Sequence, residues 1–136
     1  MSISSASDAA IEVLGIQSRG ESSDEELWRF GILQLLDDYE SVLAHAGVEA
    51  ASQLLRDEPP KSGHSGIDAA LAALVAWLAD RDGWRPPNWV WAADRVARPW
   101  WFVTPSSYGR AWAMVQSPAQ FRIRGVFITD TALMRV

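Results

Sequence analysis

Two kinds of side chain in this sequence could take part in chemistry or binding: carboxylates that occur in clusters, and arginines that occur beside tryptophans. Asp37, Asp38 and Glu40 form one carboxylate cluster, and residues 24 to 26 form another. Carboxylates hold a cation only where they point into one cleft, and adjacent positions on a helix point apart. We therefore predict that Asp37, Asp38 and Glu40 form a solvated acidic face that is able to contact a partner.

Arginine and tryptophan are concentrated together in the second half of the chain. Seven of the eight tryptophans lie after Pro60, and every cation there except Lys61 is an arginine. A planar guanidinium suits bidentate hydrogen bonding and stacking on aromatic rings. The residues that we identify here as candidate contacts with a partner are Arg95, Arg98, Trp100, Trp101, Arg110, Arg122 and Arg124.

The sequence lacks the residue patterns that common catalytic mechanisms need. It contains no cysteine, which excludes disulfides and thiolate metal sites, and its two histidines, His45 and His64, are not near one another in the chain. It also has no glycine-rich phosphate loop and no recognisable Ser-His-Asp set. We therefore expect a protein that is not an enzyme, with no catalytic residue, metal or cofactor, and with both histidines solvated.

Charge is divided unequally between the two parts of the chain. Residues 1 to 60 carry three arginines and twelve carboxylates, a net charge of −9, whereas residues 61 to 136 carry nine cations and five carboxylates, a net charge of +4. Opposite charges of this kind can attract one another within a monomer or dimer, or can steer a charged partner. The sequence leaves both interpretations open.

Helical periodicity dominates the acidic part. Ser23 and Glu26 form a capping box, and apolar residues then recur at steps of four and three, which predicts a helix over residues 24 to 45. Gly47 interrupts the pattern before a second short helix, so residues 23 to 58 are predicted to form an acidic helical hairpin. The apolar stripe of the first helix could also pair two copies in a homodimer, and its members are Trp28, Ile32, Leu35, Tyr39 and Val42.

The segments on either side of this hairpin have weaker patterns. Residues 1 to 22 are predicted to be weakly structured, with a short helix near residues 8 to 14. Residues 59 to 66 are rich in proline, glycine and serine, which is typical of a linker. A second long helix then follows, from a Ser65/Asp68 capping box to Gly83.

Residues 67 to 136 are predicted to form an Arg/Trp-rich α+β unit. Two short β-prone runs, residues 100 to 103 and 126 to 128, precede the helix-capping pairs Thr104-Pro105 and Thr129-Asp130. Helices predicted between the two strands make the strands parallel, and the strands should lie against the preceding long helix. The fold class is therefore mainly α (α+β), with the whole chain expected to form one compact domain.

Trp100 and Trp101 are adjacent in the first of these strands. Successive strand residues point to opposite faces, so Trp100 shares one face with Phe102, and Trp101 shares the other with Val103. Because a two-layer domain offers a helix to each face, the first expectation is that both tryptophan rings are buried between layers. The alternative is that only one face is core, so that the ring on the other face covers a helix, binds a partner or is exposed.

The N-terminal residues do not resemble a targeting signal. They lack a basic stretch followed by an apolar run, and nothing in the chain approaches the ~20 apolar residues that a membrane span requires. We therefore expect a cytoplasmic protein that does not bind membranes.

Three sequence motifs recur in a known group of proteins. They are WRPPNW at residues 84 to 89, WWFVTP at 100 to 105, and PAQFRIRGVFI at 118 to 128. With these motifs, residues 67 to 136 resemble a group of small bacterial proteins, common in actinobacteria, that are often encoded beside nucleotidyltransferase-like proteins. The resemblance implies an antitoxin-like protein that binds and neutralises a nucleotidyltransferase-type toxin.

Together, the residues and the resemblance give three hypotheses for function. The first is a non-catalytic protein-binding module of the antitoxin kind. The second is a nucleic-acid-binding protein that uses the Arg/Trp surface, whose affinity would fall steeply with salt. The third is a structural protein that homo-oligomerises through the apolar stripe.

Overall fold

The computed structural model describes residues 3–20, 23–103, 107–129 and 131–134, and for Ser107 and Tyr108 it describes the backbone alone. The helices are α1 (Ala6–Ser18), α2 (Asp24–Trp28), α3 (Gln34–Ala46), α4 (Val48–Gln53), α5 (Ser65–Asp82), α6 (Ser107–Gln116) and α7 (Ala119–Arg122). A π-helical turn covers Arg29–Leu33, a 3₁₀ turn covers Asn88–Trp91, and the strands are β1 (Trp101–Phe102) and β2 (Val126–Phe127). The prediction of a mainly α (α+β) fold is confirmed.

Helix α5 lies at the centre of the molecule because it is apolar on every side. All of its residues from 66 to 76 are buried, and most of them are alanine, leucine or valine. A helix of this kind must be surrounded by other elements. It contacts α1, the π-helical turn, the 3₁₀ turn, α7 and β2, so one hydrophobic cluster contains side chains from both parts of the chain.

The acidic part packs on α5 as a long, nearly continuous helix. α2, the π-helical turn and α3 together cover the predicted helix over residues 24 to 45, and Ser23 caps it by accepting from the Glu26 N–H at 3.1 Å. The π-helical turn, which periodicity did not predict, contains Gly31. A Cβ at Gly31 would lie 2.6 Å from Val13 Cγ2, so this glycine permits close packing of the turn on α1.

Helix α1 is longer than the sequence pattern suggested. Ser5 and Asp8 form a reciprocal capping box, and the helix continues through thirteen residues to Ser18. Its buried residues, among them Ala10 and Val13, pack into the common core. The prediction of a weakly structured segment with a short helix at residues 8 to 14 was therefore wrong for the residues of α1.

The apolar stripe proposed for a homodimer is used within the chain. Trp28, Ile32, Leu35 and Tyr39 are buried in the core, and Val42 packs partly buried against it. The stripe packs in one cluster with residues of α1 and α5 of the same chain. It is therefore unavailable to a second copy in this fold. This corrects the predicted dimer interface.

The two strands form a small parallel sheet, as predicted. Trp101 pairs with Val126, and Phe102 pairs with Phe127. The Trp101 N–H donates to Gly125 O at 2.8 Å, and the Val103 N–H donates to Phe127 O at 3.1 Å. α6 contacts β2, and Ser117 at its end accepts from the Ile128 N–H at 2.8 Å. The predicted caps at Thr104-Pro105 and Asp130 fall outside the described residues.

His64, rather than Ser65, caps the N-terminus of α5. Its Nδ1 accepts from the Ile67 N–H at 3.1 Å, while its ring packs edge-on against Trp101 with centroids 4.9 Å apart. Asp68 accepts instead from the Ser62 N–H at 2.8 Å. The prediction of a Ser65/Asp68 capping box and of a solvated His64 was therefore wrong, because aromatic packing buries most of the ring.

Replacing Gly66 by alanine is expected to destabilise the fold by about 1–3 kcal/mol, as overpacking does. The added Cβ would lie 2.6 Å from two carbons of the buried Trp101 ring and 2.8 Å from the His64 ring. Alanine in place of glycine within a helix ordinarily stabilises by up to about 1 kcal/mol. Urea denaturation of the Gly66→Ala variant measures the difference.

Gly15→Ala in α1 is the matched control for this substitution. The nearest atom to its added Cβ is Arg19 Nη1 at 3.9 Å, an ordinary contact, so this variant should gain the usual helical stabilisation. A Gly66→Ala variant as stable as Gly15→Ala would contradict the position of the Trp101 ring.

Candidate functional site

Trp101, the first residue of β1, and Trp100, directly before it, lie in opposite environments. The Trp101 ring is buried against Trp28, with centroids 5.9 Å apart, and its Nε1 donates to Asp24 Oδ2 at 3.0 Å. The Trp100 ring lies on the other side of the strand and is 63% exposed. The expectation that both rings are buried was therefore wrong for Trp100.

Trp100 belongs to a group of apolar side chains, which we call the Trp100 face and define as Trp91, Trp100, Phe102, Ile123 and Phe127. The Trp100 and Phe127 centroids are 5.2 Å apart, and Phe102 stacks on Phe127 at 4.8 Å. Trp91 and Ile123 line one shallow depression. Of these side chains, Trp91, Trp100 and Ile123 are each more than 60% exposed.

Gly125 connects the two ends of the Trp100 face. Its φ of 74° lies in the left-handed region that favours glycine. A Cβ at this position would lie 2.9 Å from Trp100 Cδ1, so the glycine allows the indole to lie directly over the backbone. The turn thereby brings Trp100 next to the segment that carries Ile123.

The exposed arginines lie around this face. Arg110 Cζ sits 5.4 Å from the centroid of the Phe102 ring. Arg98 is two residues before Trp100 in the chain, Arg122 is next to Ile123, and both are exposed. Among the described residues, none of these three arginines is within ion-pair distance of a carboxylate. The surface therefore combines apolar anchors with unpaired positive charge.

Arg95, a predicted partner contact, is instead buried in the core. Its Nη2 donates to Pro59 O at 2.5 Å and lies 3.3 Å from Glu58 Oε2, and its Nη1 lies 3.9 Å from Asp68 Oδ1. The guanidinium also packs over the Trp89 ring, 5.1 Å from the centroid. Arg95 therefore ties the segment before α5 to the C-terminal part and is not part of an exposed surface.

Arg124 is also buried, although the sequence placed it on the binding surface. Its Nε and Nη2 donate to Val90 O at 3.2 and 2.9 Å, and its Nη1 donates to Gln120 O at 2.7 Å. Both arginines that the sequence placed on an open surface, Arg95 and Arg124, are therefore buried and hold the fold together. Alternation along a strand cannot identify them, because neither lies in a strand.

The predicted acidic face is not one open surface. Asp38 is buried and accepts from the Ser4 N–H at 2.9 Å, and Glu40 forms an ion pair with Arg81 at 2.6 Å. Asp37 is half-buried. The acidic cluster is therefore engaged largely within the chain, which corrects its assignment as a solvated partner surface.

A polar cluster that sequence reasoning missed joins α3 to the end of α5. The Tyr39 hydroxyl donates to Asp82 Oδ2 at 2.7 Å and accepts from Trp84 Nε1 at 2.8 Å. Arg81 donates to both Asp82 oxygens, each at 2.9 Å, and this holds the pKa of Asp82 below its ordinary value. Burial, reinforced by the Asp82 carboxylate, raises the pKa of Tyr39 to about 12.

This cluster predicts a specific loss of stability in alkali. Because the folded-state pKa of Tyr39 exceeds its ordinary value of 10, its contribution is complete below pH 10 and disappears as the pH rises through about 12. This shift in the pKa of Tyr39 corresponds to about 2–3 kcal/mol of folding stability, which is lost over that pH range. Urea denaturation from pH 9 to 12 should show a shallower decline for Tyr39→Phe than for the wild type. Equal slopes would contradict the assignment.

A groove of about 580 Å³ lies between the start of α2 and the carboxyl end of β1, and Asp24, Glu25, Trp28, Val103 and Arg110 are among its lining residues. Its acidic groups already have partners: Asp24 accepts from the Trp101 indole, and Glu25 lies 3.7 Å from Arg29. Among the described residues, no group of His, Asp and Glu side chains is arranged to hold a metal ion. The described residues that line the groove therefore form no metal site.

Comparison with protein-family models, with curated proteins and with solved structures gives no match to this chain. In the described part of the chain, no helix combines the length and the apolar character that a membrane crossing needs. The Trp100 face is accordingly the candidate functional site on the strength of its own geometry.

Proposed function

We propose that this chain is a non-catalytic protein-binding module that acts in the cytoplasm and docks a partner protein through the Trp100 face. The observation that carries the proposal is the exposure of three large apolar side chains, Trp91, Trp100 and Ile123, two of which line one depression beside Arg124. Exposed apolar patches on folded proteins mark interaction sites. Tryptophan and arginine are also the residues enriched among the energetic anchors of protein interfaces.

The layout of the face supports a protein partner over a nucleic acid. Its centre is apolar and rigid, since Trp100, Phe102 and Phe127 pack on one another, and the exposed Arg110 lies over Phe102. This is the usual anatomy of a protein interface. Arg95 and Arg124 are buried, so they cannot belong to an open basic strip that a nucleic-acid backbone could follow. The chain also carries a net charge of −5, which opposes phosphate binding.

The sequence motifs suggest the identity of the partner. WRPPNW, WWFVTP and PAQFRIRGVFI resemble those of proteins encoded beside nucleotidyltransferase-like proteins, so the proposed role is that of an antitoxin that neutralises such a toxin. The acidic face predicted at Asp37, Asp38 and Glu40 contributes less to the proposal, because Asp38 and Glu40 have internal partners.

Coexpression with the product of a neighbouring nucleotidyltransferase-like gene tests this function. The expected result is a stable complex that survives purification, together with relief of the growth defect that the toxin causes alone. Recovery of a free monomer with no rescue of growth would overturn the proposal. Salt-sensitive binding of single-stranded RNA or DNA by the monomer would favour the nucleic-acid hypothesis instead.

A further inference from the structure

Arg124 is a buried cation that lacks a counter-ion. The residue is only 3% exposed, and within the described part of the chain no carboxylate lies in ion-pair distance of it. Arg95, which is equally buried, lies within 4 Å of both Glu58 and Asp68. Burying a charge without a partner is costly, and buried charges are normally paired. The charge of Arg124 is thus left uncompensated by its surroundings.

The guanidinium of Arg124 also retains unused donors. Arginine has five N–H groups. Three of them donate to carbonyls: Nε and Nη2 to Val90 O, and Nη1 to Gln120 O. One N–H on each terminal nitrogen is therefore left without an acceptor among the described residues. Two N–H groups on one guanidinium can bind a carboxylate in bidentate fashion.

A small depression of about 160 Å³ gives access to this side chain. It is lined by Arg95, Arg124, Trp91, Val96 and Ile123, among others. The Trp91 ring lies over the guanidinium, with 5.0 Å from Cζ to the ring centroid, while the residue is 64% exposed. The Nε of Arg95 is buried and also has no acceptor in the described part of the chain. Two buried guanidinium groups and an accessible indole therefore meet at one end of the Trp100 face.

We propose that this depression is an anion subsite that receives the carboxylate of an acidic side chain from the partner protein. The inference rests on the proposed function and specifies what the partner must offer, an Asp or Glu next to an apolar segment. A planar carboxylate matches the two unused N–H groups. The apolar walls formed by Val96 and Ile123 leave the additional oxygens of a phosphate without donors.

Titration of the ¹⁵N-labelled protein with sodium acetate tests the subsite without any partner. At constant ionic strength, maintained with sodium chloride, the Arg124 Nε–H and Trp91 Nε1–H signals should shift saturably with acetate. Arg124→Gln should weaken this binding about tenfold or more, as expected for loss of a charge-assisted hydrogen bond. Arg85→Gln, which removes an exposed arginine outside the depression, should bind acetate like the wild type.

A second variant keeps the subsite testable if Arg124→Gln does not fold. Trp91→Ala removes an exposed ring and leaves the three carbonyl hydrogen bonds of Arg124 in place, so it should remain folded and bind acetate more weakly because water reaches the guanidinium. Shifts no larger with acetate than with chloride would overturn the subsite. Tighter binding of inorganic phosphate than of acetate would overturn the carboxylate assignment. Either result could be obtained with a protein that still binds its partner. Failure of the anion-subsite proposal is therefore distinguishable from failure of the proposed function.

Discussion

Replacing Trp100 by alanine is expected to weaken binding of the partner protein by about thirtyfold or more, which corresponds to a loss of about 2 kcal/mol at an interface anchor. The indole is 63% exposed and is held in place by Phe127 and by the backbone at Gly125. A rigid exposed ring loses little conformational freedom on binding, so most of its burial contributes to affinity. Isothermal calorimetry on the purified pair measures the effect.

Stability measurements separate this loss of binding from unfolding. Trp100→Ala removes contacts on one side of the ring only, so the free energy of unfolding should fall by about 1 kcal/mol, the size of an aromatic pair contact. Ile123→Ala on the Trp100 face and Ile11→Ala on α1 form a matched pair, since the two side chains are similarly exposed. Equal affinities for these two variants, or unchanged affinity for Trp100→Ala, would exclude the Trp100 face as the docking surface.

Replacing Arg95 by methionine is expected to destabilise the fold by about 3–5 kcal/mol, the usual cost of breaking a buried ion pair from one side. The methionine fills a similar volume, but it cannot donate to Pro59 O or lie beside Glu58 as a cation. Asp68, which is buried, would also lose its nearby positive charge. Thermal and urea denaturation both report this loss.

Arg85→Met provides the control for Arg95→Met. Arg85 is exposed, and substitutions at such positions usually change stability by less than about 0.5 kcal/mol. A double variant, Arg95→Met with Asp68→Asn, should recover part of the lost stability. Asp68→Asn removes the carboxylate that Arg95→Met leaves without its nearby cation. An Arg95→Met variant as stable as the wild type would show that the buried guanidinium does not hold the 59–66 segment in place.

The helices and the parallel strands could be predicted because their signals are local. Ser23 with Glu26 and the recurrence of apolar residues specify a helix start and its buried face, and Gly83 marks a helix end. The capping role of His64 could not be predicted, because it depends on Trp101, a residue 37 positions later in the chain that packs on the same ring. The π-helical turn likewise depends on the packing of Gly31 against Val13.

The candidate site could be predicted only in part, because it too depends on contacts between residues that are far apart in the chain. Composition indicated an Arg/Trp surface, and alternation along β1 placed Trp100 and Trp101 on opposite faces. The sequence pattern could not show which arginines are buried, since Arg95 and Arg124 lie outside helices and strands and contact carbonyls 36 and 34 residues away. Trp91 and Ile123 were missed because an exposed side chain leaves no periodic signal in a loop.

The motif PAQFRIRGVFI has a structural explanation at several of its positions. Phe121 is buried, Arg124 donates to Val90 O, Gly125 adopts a positive φ beneath Trp100, and Val126 pairs with Trp101. The motif therefore describes how β2 is attached to the rest of the fold. Ile123 is the exposed large apolar residue within it, and it is also the position that the docking hypothesis requires.

The central position of α5 has a consequence for synthesis on the ribosome. The apolar residues of α1 and α3 pack against a helix that begins only at Ser65, so they emerge before the surface that covers them exists. At ordinary elongation rates this interval is on the order of a few seconds. During that time the nascent chain presents an uncovered apolar stripe, which makes the first 60 residues a natural substrate for chaperones and proteases until α5 has been translated.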